Sequence, residues 1–405
     1  MDYPCKGDNP LMKTGRTLPA LAAELERQAH LKRDLLAPAQ SLHVHSNGHT
    51  ALCIPTLEEP FAVNDIAHGQ MAEYLGIPRG FYDFLRARTE ALRVPVAMSS
   101  LPAGYRTRAE PGQLRLADEQ SLFDVTVNRL LQSKSADKRL VRLLDGSVRA
   151  FLSRSYSLDL DNFDVFAMAA RVIEEIGLCP EDVVSCEVTE RRLYLKVVSP
   201  KLAAVIHPHQ MRTPGGMLKE PQIVQAGFVL TNSETGLGSL CIRQVVYKLM
   251  CQNGWIHEEA YRKRHLGRAL EADESGDIYR SDTRRAEAKA RLLKIRDQVA
   301  DTLNEHKFLS VVAKMQASVA VPLEGEVTQV VDVTARKFGL HEDERASVLR
   351  NLIEGADLSL WGLSNAITAT AQTVSSYDRA TELESIGGRC FSLSGSEIKE
   401  IVTAK

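Results

Sequence analysis

Residues 223–257 constrain the fold of this chain most, because its strongest strand composition lies there beside its densest turn signals. Residues 223–231 and 239–251 are both rich in the β-branched and aromatic types that favour strands. Between them, residues 232–238 read Asn-Ser-Glu-Thr-Gly-Leu-Gly, which supplies the small and conformationally permissive residues of a tight reversal. We therefore predict a long β-hairpin, followed by a second turn at Asn253-Gly254.

The first turn is expected to be shaped by its own side chains. Asparagine and serine side chains bond to nearby backbone amides in turns, and glycine adopts the positive φ that other residues avoid. We predict such bonds for Asn232 and Ser233, and a positive φ for Gly236. Replacing Glu234 with glutamine is then expected to do little to folding. Direct contact of these side chains with a ligand is the alternative.

The remaining periodicity predicts an α+β fold. Runs of strands followed by runs of helices are typical of that class. We predict a twisted antiparallel sheet packed on a helix at 163–176, flanked by an N-terminal helical hairpin and a C-terminal helical region. The predicted strands of this single sheet lie near 148–153, 183–188, 192–198, 223–231 and 239–251.

Four segments follow from this pattern: an N-terminal arm and small hairpin at 1–60, a helical segment at 61–147, a central α+β domain at 148–257, and a basic, helical region at 258–405. A short helix within 18–36 is expected to be detached from the core. Residues 199–221, rich in proline and glycine, are expected to form a long flap.

The segment 61–93 predicts two helices separated by Gly76-Ile77-Pro78. The second helix is expected to carry Phe81, Phe84 and Leu85 on one face. The pair resembles a DNA-reading helix-turn-helix, but a helical hairpin that only packs gives the same pattern.

Composition indicates a cytoplasmic globular protein. The 405 residues include 50 basic and 52 acidic side chains, a net charge of −2, and no apolar run long enough for a membrane helix or signal peptide. The seven cysteines are odd in number and form no Cys-x-x-Cys pair, which argues against a disulfide framework or zinc ribbon. We therefore expect reduced thiols and no membrane association.

No familiar catalytic motif is present. The sequence lacks a Gly-x-x-x-x-Gly-Lys-Ser/Thr loop, a Gly-x-Ser-x-Gly elbow and a His-Glu-x-x-His helix. Cys251 could act as a nucleophile only with a paired histidine such as His257, and a strand cysteine is more often a small core residue. We predict no cofactor and no catalytic residue.

Two groups of side chains could in principle hold a metal: His43, His45 and His49, and Glu187, Glu190 and Glu234. Alternating histidines on a hairpin are more often surface residues. Glutamates scattered over adjacent strands are more often a solvated rim than the carboxylate site of a nuclease. No metal site is predicted.

Basic residues cluster at 134–154, 242–268 and 284–296, although the whole chain is slightly acidic. Such clusters can line a phosphate channel, or they can simply be solvated helix and strand faces. If they bind phosphates, the candidate contacts are Arg139, Arg142, Arg149, Arg154, Arg243, Lys248, Arg262, Lys263, Arg284, Arg285, Lys289 and Arg291. The candidate aromatic residues for stacking on bases are Tyr194, Tyr247 and Trp255.

The turn region also carries a family resemblance. A strand ending in Asn-Ser-Glu-x-Gly, followed by a β-branched segment and then Cys-x-Asn-Gly, resembles the phage/plasmid-like protein family, a domain of unknown function carried by phages, plasmids and genomic islands. The matching positions are Asn232, Ser233, Glu234, Gly236, Cys251, Asn253 and Gly254. Further matches place the resemblance over roughly 60–385. It implies a mobile-element setting and is nearly silent on mechanism.

A helix with successive hairpins and a basic loop is also similar, at the level of fold only, to phage single-strand annealing proteins of the RecT/Redβ kind. These resemblances imply a non-catalytic, single-stranded DNA-binding protein that acts in recombination or replication as a homo-oligomer. A protein-interaction or defence-related factor is the alternative, and an unrecognised metal-dependent nuclease is the third possibility.

Overall fold

The computed structural model describes residues 15–96, 118–135, 137–156, 160–207, 222–248, 254–263 and 281–404. The chain divides into two compact units. Of the described residues, those from 27 to 156 form the N-terminal unit, and residues 15–26 together with those from 160 to 404 form the C-terminal unit.

The first helix, α1 (Leu18–Leu31), begins in the C-terminal unit and ends in the N-terminal unit. The N-terminal unit continues with β1 (Arg33–Pro38), β2 (His43–Asn47), β3 (His49–Cys53), β4 (Phe61–Val63), α2 (Asp65–Leu75), α3 (Arg79–Arg86), β5 (Arg93–Val96), β6 (Asp118–Ser121), α4 (Leu122–Ser133), β7 (Lys138–Leu144) and β8 (Ser147–Ser153). A six-stranded sheet in the order β1-β7-β8-β4-β3-β2 packs with α2, α3 and α4 around one apolar core. Strands β4 and β8 are parallel, so this sheet is mixed.

The C-terminal unit contains α5 (Asn162–Glu175), β9 (Val183–Val188), β10 (Leu193–Ile206), β11 (Gln222–Asn232), β12 (Leu240–Lys248), β13 (Gly254–Lys263), α6 (Ser281–Thr302), α7 (Glu305–Val319), α8 (Val327–Phe338), α9 (Glu342–Gly355), α10 (Leu360–Ala371), α11 (Tyr377–Arg389) and α12 (Gly395–Val402). Its five-stranded antiparallel sheet has the order β13-β12-β11-β10-β9. The α+β prediction is confirmed.

Both faces of this sheet are covered, which follows from the alternation of side chains along its strands. Leu195 and Ile242 point to the face that packs on α1, α5 and α6. Lys196 and Arg243, each one position further along, contact α11 on the opposite face. Helices α5 and α11 therefore lie on opposite sides of the sheet.

The predicted hairpin is present, since β11 pairs antiparallel with β12, and Gly236 has the expected positive φ of 74°. The assignment of residues 148–153 to the same sheet was wrong. Strand β8 pairs with β7 and β4, and its Val148 and Phe151 lie in the core of the N-terminal unit. A strand's composition does not reveal which sheet it joins, because pairing depends on distant partners.

Three predicted elements differ from the structure. Helix α1 is not detached, because Leu21 and Leu25 are completely or almost completely buried against α5 and the sheet. The first part of the predicted flap is strand, since β10 runs to Ile206, while residues 208–221 lie outside the described residues. The apolar spacing of residues 363–384 predicts one continuous helix, but this segment forms two helices, α10 and α11.

Phe81 and Phe84 do not share a face with Leu85. Leu85 is buried, whereas Phe81 and Phe84 are 53% and 45% exposed. The inner face of α3 is formed by Tyr82 and Leu85, three positions apart, and the preceding residue in each case, Phe81 or Phe84, is turned toward solvent.

Trp361 is an almost completely buried anchor of the core. Its ring stacks on Trp255 with centroids 5.0 Å apart, and Phe391 lies against both. The indole nitrogen of Trp255 donates a hydrogen bond of 2.9 Å to the hydroxyl of Ser364, so the buried polar atom is satisfied. This cluster fixes α10 and α11 against β13.

His257 on β13 gives this unit a predicted pH dependence. Burial, with the charge of Lys314, lowers the pKa of its imidazole from 6.5 to about 4. The imidazole of His257 therefore takes up a proton near pH 6.5 in the unfolded chain but only near pH 4 in the folded chain. The free energy of unfolding falls as the pH drops through this window. We expect a loss of up to about 3 kcal/mol in the free energy of unfolding.

Denaturant titrations of the natural chain and of His257→Gln at pH 7 and pH 4.5 measure this effect. The difference between the two proteins isolates His257 from other groups, including His68, whose pKa burial also lowers. Equal pH dependence in both proteins would contradict the assignment.

None of the helices that the structure describes combines the length and the apolar composition needed to cross a bilayer.

Candidate anion-binding site

The turn between β11 and β12 is organised by buried polar side chains. Ser233 donates a hydrogen bond of 2.7 Å from its hydroxyl to the carbonyl of Arg191, and it accepts one of 3.2 Å from the amide of Leu237. The hydroxyl of Thr235 also reaches the carbonyl of Arg191, at 3.3 Å. This turn therefore holds the neighbouring β9–β10 turn in place. The predicted hydrogen bond from a backbone amide to the Ser233 side chain is present.

Asn232 and Glu234 act on a different element, the start of α5. The amide of Asn232 donates to the carbonyl of Leu160 at 2.8 Å and to the side-chain oxygen of Asn162 at 3.0 Å. The carboxylate of Glu234, only 4% exposed, accepts the backbone N–H of Asn162 at 2.6 Å. A carboxylate at this position satisfies an amide of the first turn and complements the helix dipole.

Replacing Glu234 with glutamine is accordingly expected to destabilise the fold, contrary to the sequence-based expectation. A neutral amide loses the charge-assisted bond at the N-terminus of α5, which costs about 1–3 kcal/mol in the free energy of unfolding. Glu190→Gln, at an exposed position in the turn between β9 and β10, is the matched control. Urea titrations with coincident midpoints for the two variants would refute this role.

The β9–β10 turn carries two consecutive arginines. The hydroxyl of Thr189 accepts the backbone amides of Arg191 and Arg192 at 3.1 and 3.0 Å, so the turn is closed by one side chain. Asp378, in the first turn of α11, is 3.2 Å from the Thr189 hydroxyl and accepts a bond of 2.6 Å from that of Tyr194. These contacts tie the turn to α11.

A pocket of about 490 Å³ opens between this turn and α11. Its walls contain four arginines, Arg191, Arg192, Arg243 and Arg379, against the two carboxylates of Asp378 and Glu382. We call it the arginine pocket. Guanidinium groups present rigid forks of donors that match phosphate and carboxylate oxygens, so an excess of them in a concave site favours an anion.

The four arginines differ in their engagement with the protein. Arg379 is held by Glu344 through bonds of 2.7 and 2.6 Å, and by Glu382 at 2.7 Å. Arg192 donates to the carbonyl of Leu237 at 2.7 Å. Arg191 is exposed, so its guanidinium is accessible to a ligand.

Arg243, the remaining member, is half-buried and donates to the hydroxyl of Ser385 on α11 at 3.1 Å. The pocket thus joins one accessible cation to three that the fold has positioned.

A buried ion pair lies on the same side of the sheet, one residue from the pocket wall. Lys196 donates to Glu384 at 2.5 Å, and both side chains are less than a tenth exposed. Burial opposes the charge of Lys196, but Glu384 and Tyr377 outweigh it and raise the pKa of the lysine. Tyr377 bonds in turn to the hydroxyl of Ser185. This network fixes α11, and with it Asp378 and Arg379, on strands β9 and β10.

Of the predicted phosphate contacts whose side chains the structure describes, Arg243 alone lines the arginine pocket. Arg142 is completely buried and forms a two-bond pair with Asp34, and Arg149 is 5% exposed and bonds to Gln28. Lys248 is also buried. These three side chains cannot reach a phosphate without leaving their present positions.

The other predicted contacts are spread over several surfaces. Arg139 lies over the ring of Tyr74 at 4.4 Å, and Arg154 is exposed on the N-terminal unit. Lys289 is exposed on α6, which packs on the sheet face opposite α11. The side chains of five more lie outside the described residues: Arg262, Lys263, Arg284, Arg285 and Arg291.

The proposed base-stacking residues are mostly inaccessible. Trp255 and Tyr194 are 0% and 1% exposed, because both pack inside the C-terminal unit. Tyr247 is half-buried. Of the residues in the family resemblance, Cys251 and Asn253 lie outside the described residues, and Gly254 begins β13.

The two potential metal clusters do not form. Within the described ranges, no three histidine, cysteine or acidic side chains come together as metal ligands. His43 is buried beside Asn128, Glu187 pairs with Arg16, and Glu234 is committed to α5. The carboxylates of Glu187 and Glu234 therefore bind different partners within the protein and do not form a shared metal site.

Sequence reasoning missed Arg191, Arg192 and Arg379 as site residues. The available signal was the pair of adjacent arginines at a predicted hairpin turn. Arg379 had no such signal, because its proximity arises only when α11 packs across the sheet.

Comparison of the chain with protein-family models, with curated proteins and with solved structures finds no match.

Proposed function

We propose that the protein is a non-catalytic, single-stranded DNA-binding factor of a phage, plasmid or genomic island, related to the phage/plasmid-like family, that acts in the cytoplasm in recombination or replication. The observation that supports this proposal is the arginine pocket, with four guanidinium groups against two carboxylates. Phosphates of the strand backbone occupy the pocket, and Arg191 provides the accessible contact.

A backbone phosphate suits this pocket for two reasons. Guanidinium groups bind phosphate oxygens through paired N–H donors, and neutralised phosphates release counterions. The N-terminus of α11 also borders the pocket through Ser376, where the carboxylate of Asp378 in the first turn offsets the partial positive charge of the helix dipole.

The direct test is a fluorescence-anisotropy titration of a labelled single-stranded oligonucleotide at about 50 mM salt, where phosphate contacts are strong. Arg191→Glu is expected to weaken binding about tenfold or more, because one contact is lost and a repulsive charge is added. Arg171→Glu on α5, exposed on the other side of the sheet, is the matched control. Absence of binding by the natural chain would end the proposal.

We also propose a homo-oligomer, and the described structure limits the surfaces through which it can assemble. The edge strand β9 is partly covered by residues 15 and 16, which bridge to Cys186. Helix α1 contributes to the core, and the basic runs at 134–154 and 284–296 do not flank one sheet. Light scattering with and without oligonucleotide tests assembly, and a monomer in both states would refute it.

A further inference from the structure

The N-terminal unit carries an exposed aromatic pair that the arginine pocket does not use. Phe81 and Phe84 on α3 are 53% and 45% exposed, the two most exposed aromatic side chains among the large apolar groups that the structure describes. Their rings are parallel to within 10°, with centroids 6.4 Å apart. The guanidinium of Arg88 lies 4.1 Å from the centroid of Phe84. We call these three residues the α3 platform.

The α3 platform is held rigidly from below. Tyr82 and Leu85 are buried on the inner face of α3, and the hydroxyl of Tyr82 lies 2.9 Å from the imidazole of His68. Arg79 bonds to Asp65 and Asp83 at 2.8 and 2.6 Å, which fixes the start of the helix. A rigid, prepositioned aromatic surface loses little entropy when a ligand stacks on it.

The surroundings of the rings favour a polyanion with planar groups. Gly80, next to Phe81 on the exposed side of α3, leaves open space there, since a Cβ at this position would meet no atom within 4 Å. Arg79 and Arg86 are ion-paired with Asp65 and Asp83, so the net positive charge beside the rings comes from Arg88, which lies over Phe84. An apolar protein partner would be flanked by these charges, whereas a nucleic-acid strand places phosphates beside them.

We propose that the α3 platform stacks unpaired bases of a single strand. Aromatic rings beside cationic side chains bind bases in a sequence-tolerant way, because every base has a π-face. This role deepens the proposed function and rests on it, since the platform supplies base contacts to the single strand that the proposed function assigns.

The test compares an oligothymidylate with an abasic oligonucleotide of the same length and phosphate count. The natural chain is expected to bind the oligothymidylate about tenfold or more tightly, since stacking contributes only when bases are present. Phe81→Ala/Phe84→Ala is expected to abolish this preference while leaving affinity for the abasic strand unchanged. Ile353→Ala, at another exposed apolar position, is the control that keeps the preference.

The outcomes separate the two proposals. If the natural chain binds neither oligonucleotide, the proposed function fails. If it binds both equally, or if the double variant keeps the preference, the stacking role is overturned while phosphate binding stands. Tighter binding of a duplex than of the single strand would also overturn stacking. A thermal melt of the double variant, expected to match that of the natural chain because both rings are exposed, confirms that the comparison involves folded protein.

Discussion

Replacing Lys196 with methionine is expected to lower the free energy of unfolding by about 3–5 kcal/mol, the cost of breaking a buried ion pair by removing one partner. Lys196 and Glu384 are buried between the sheet and α11, with a separation of 2.5 Å. Without the lysine, the buried carboxylate of Glu384 has neither water nor an ammonium group beside it to balance its charge. Urea unfolding at neutral pH measures the loss.

The double variant Lys196→Met/Glu384→Leu separates two effects on the free energy of unfolding. One is the net contribution of the ion pair, and the other is the penalty of leaving one buried charge without its partner. Because apolar side chains of similar size often replace a buried pair without loss, we expect the double variant to recover most of the stability. A single variant as stable as the natural chain would show that Glu384 is solvated and that the pair does not hold α11. A double variant as unstable as the single one would instead assign the loss to packing.

Gly388→Ala is expected to be the second most damaging change, at about 3 kcal/mol or somewhat less. A Cβ at this position would lie 2.2 Å from the carbonyl oxygen of Ile256, so α11 and β13 could not keep their close approach. Ala normally stabilises a helix relative to Gly, and the sign of the effect is therefore diagnostic.

Gly355→Ala in α9 is the matched control. Its Cβ would meet no atom within 4 Å, and the position is exposed. We expect no loss of thermal stability there, and a fall in melting temperature for Gly388→Ala alone. Equal melting temperatures for the two variants would contradict the proximity of α11 to the strand.

Local pattern was sufficient for most elements of the fold and insufficient for their assembly. Strand β9 matches its predicted bounds of 183–188, since turn residues flank this strand in the sequence. Strand β8 was recognised but assigned to the wrong sheet, because its partners β7 and β4 lie elsewhere in the chain. No sequence pattern indicated a role for Gly387 and Gly388, which are the positions where α11 touches β13 and α10.

The candidate site was less predictable, because basic residues have similar sequence signatures whether they are buried or exposed. Arg142 lies in a basic run, yet its guanidinium is paired with the carboxylate of Asp34, which is more than a hundred positions away in the sequence. Glu234 was expected to be dispensable, yet it accepts the first amide of α5. In both cases a long-range partner decides the role, and no local spacing indicates it.

The salt dependence of single-stranded DNA binding tests the central claim most directly. For a single strand, each phosphate contact contributes about −0.7 to the slope of log K against log salt concentration. We predict that Arg191→Ala reduces the magnitude of the slope by about that amount, the value for one lost phosphate contact. Arg171→Ala, on the opposite side of the sheet, should leave the slope unchanged. Identical slopes for the natural chain and both variants would contradict phosphate binding at the arginine pocket.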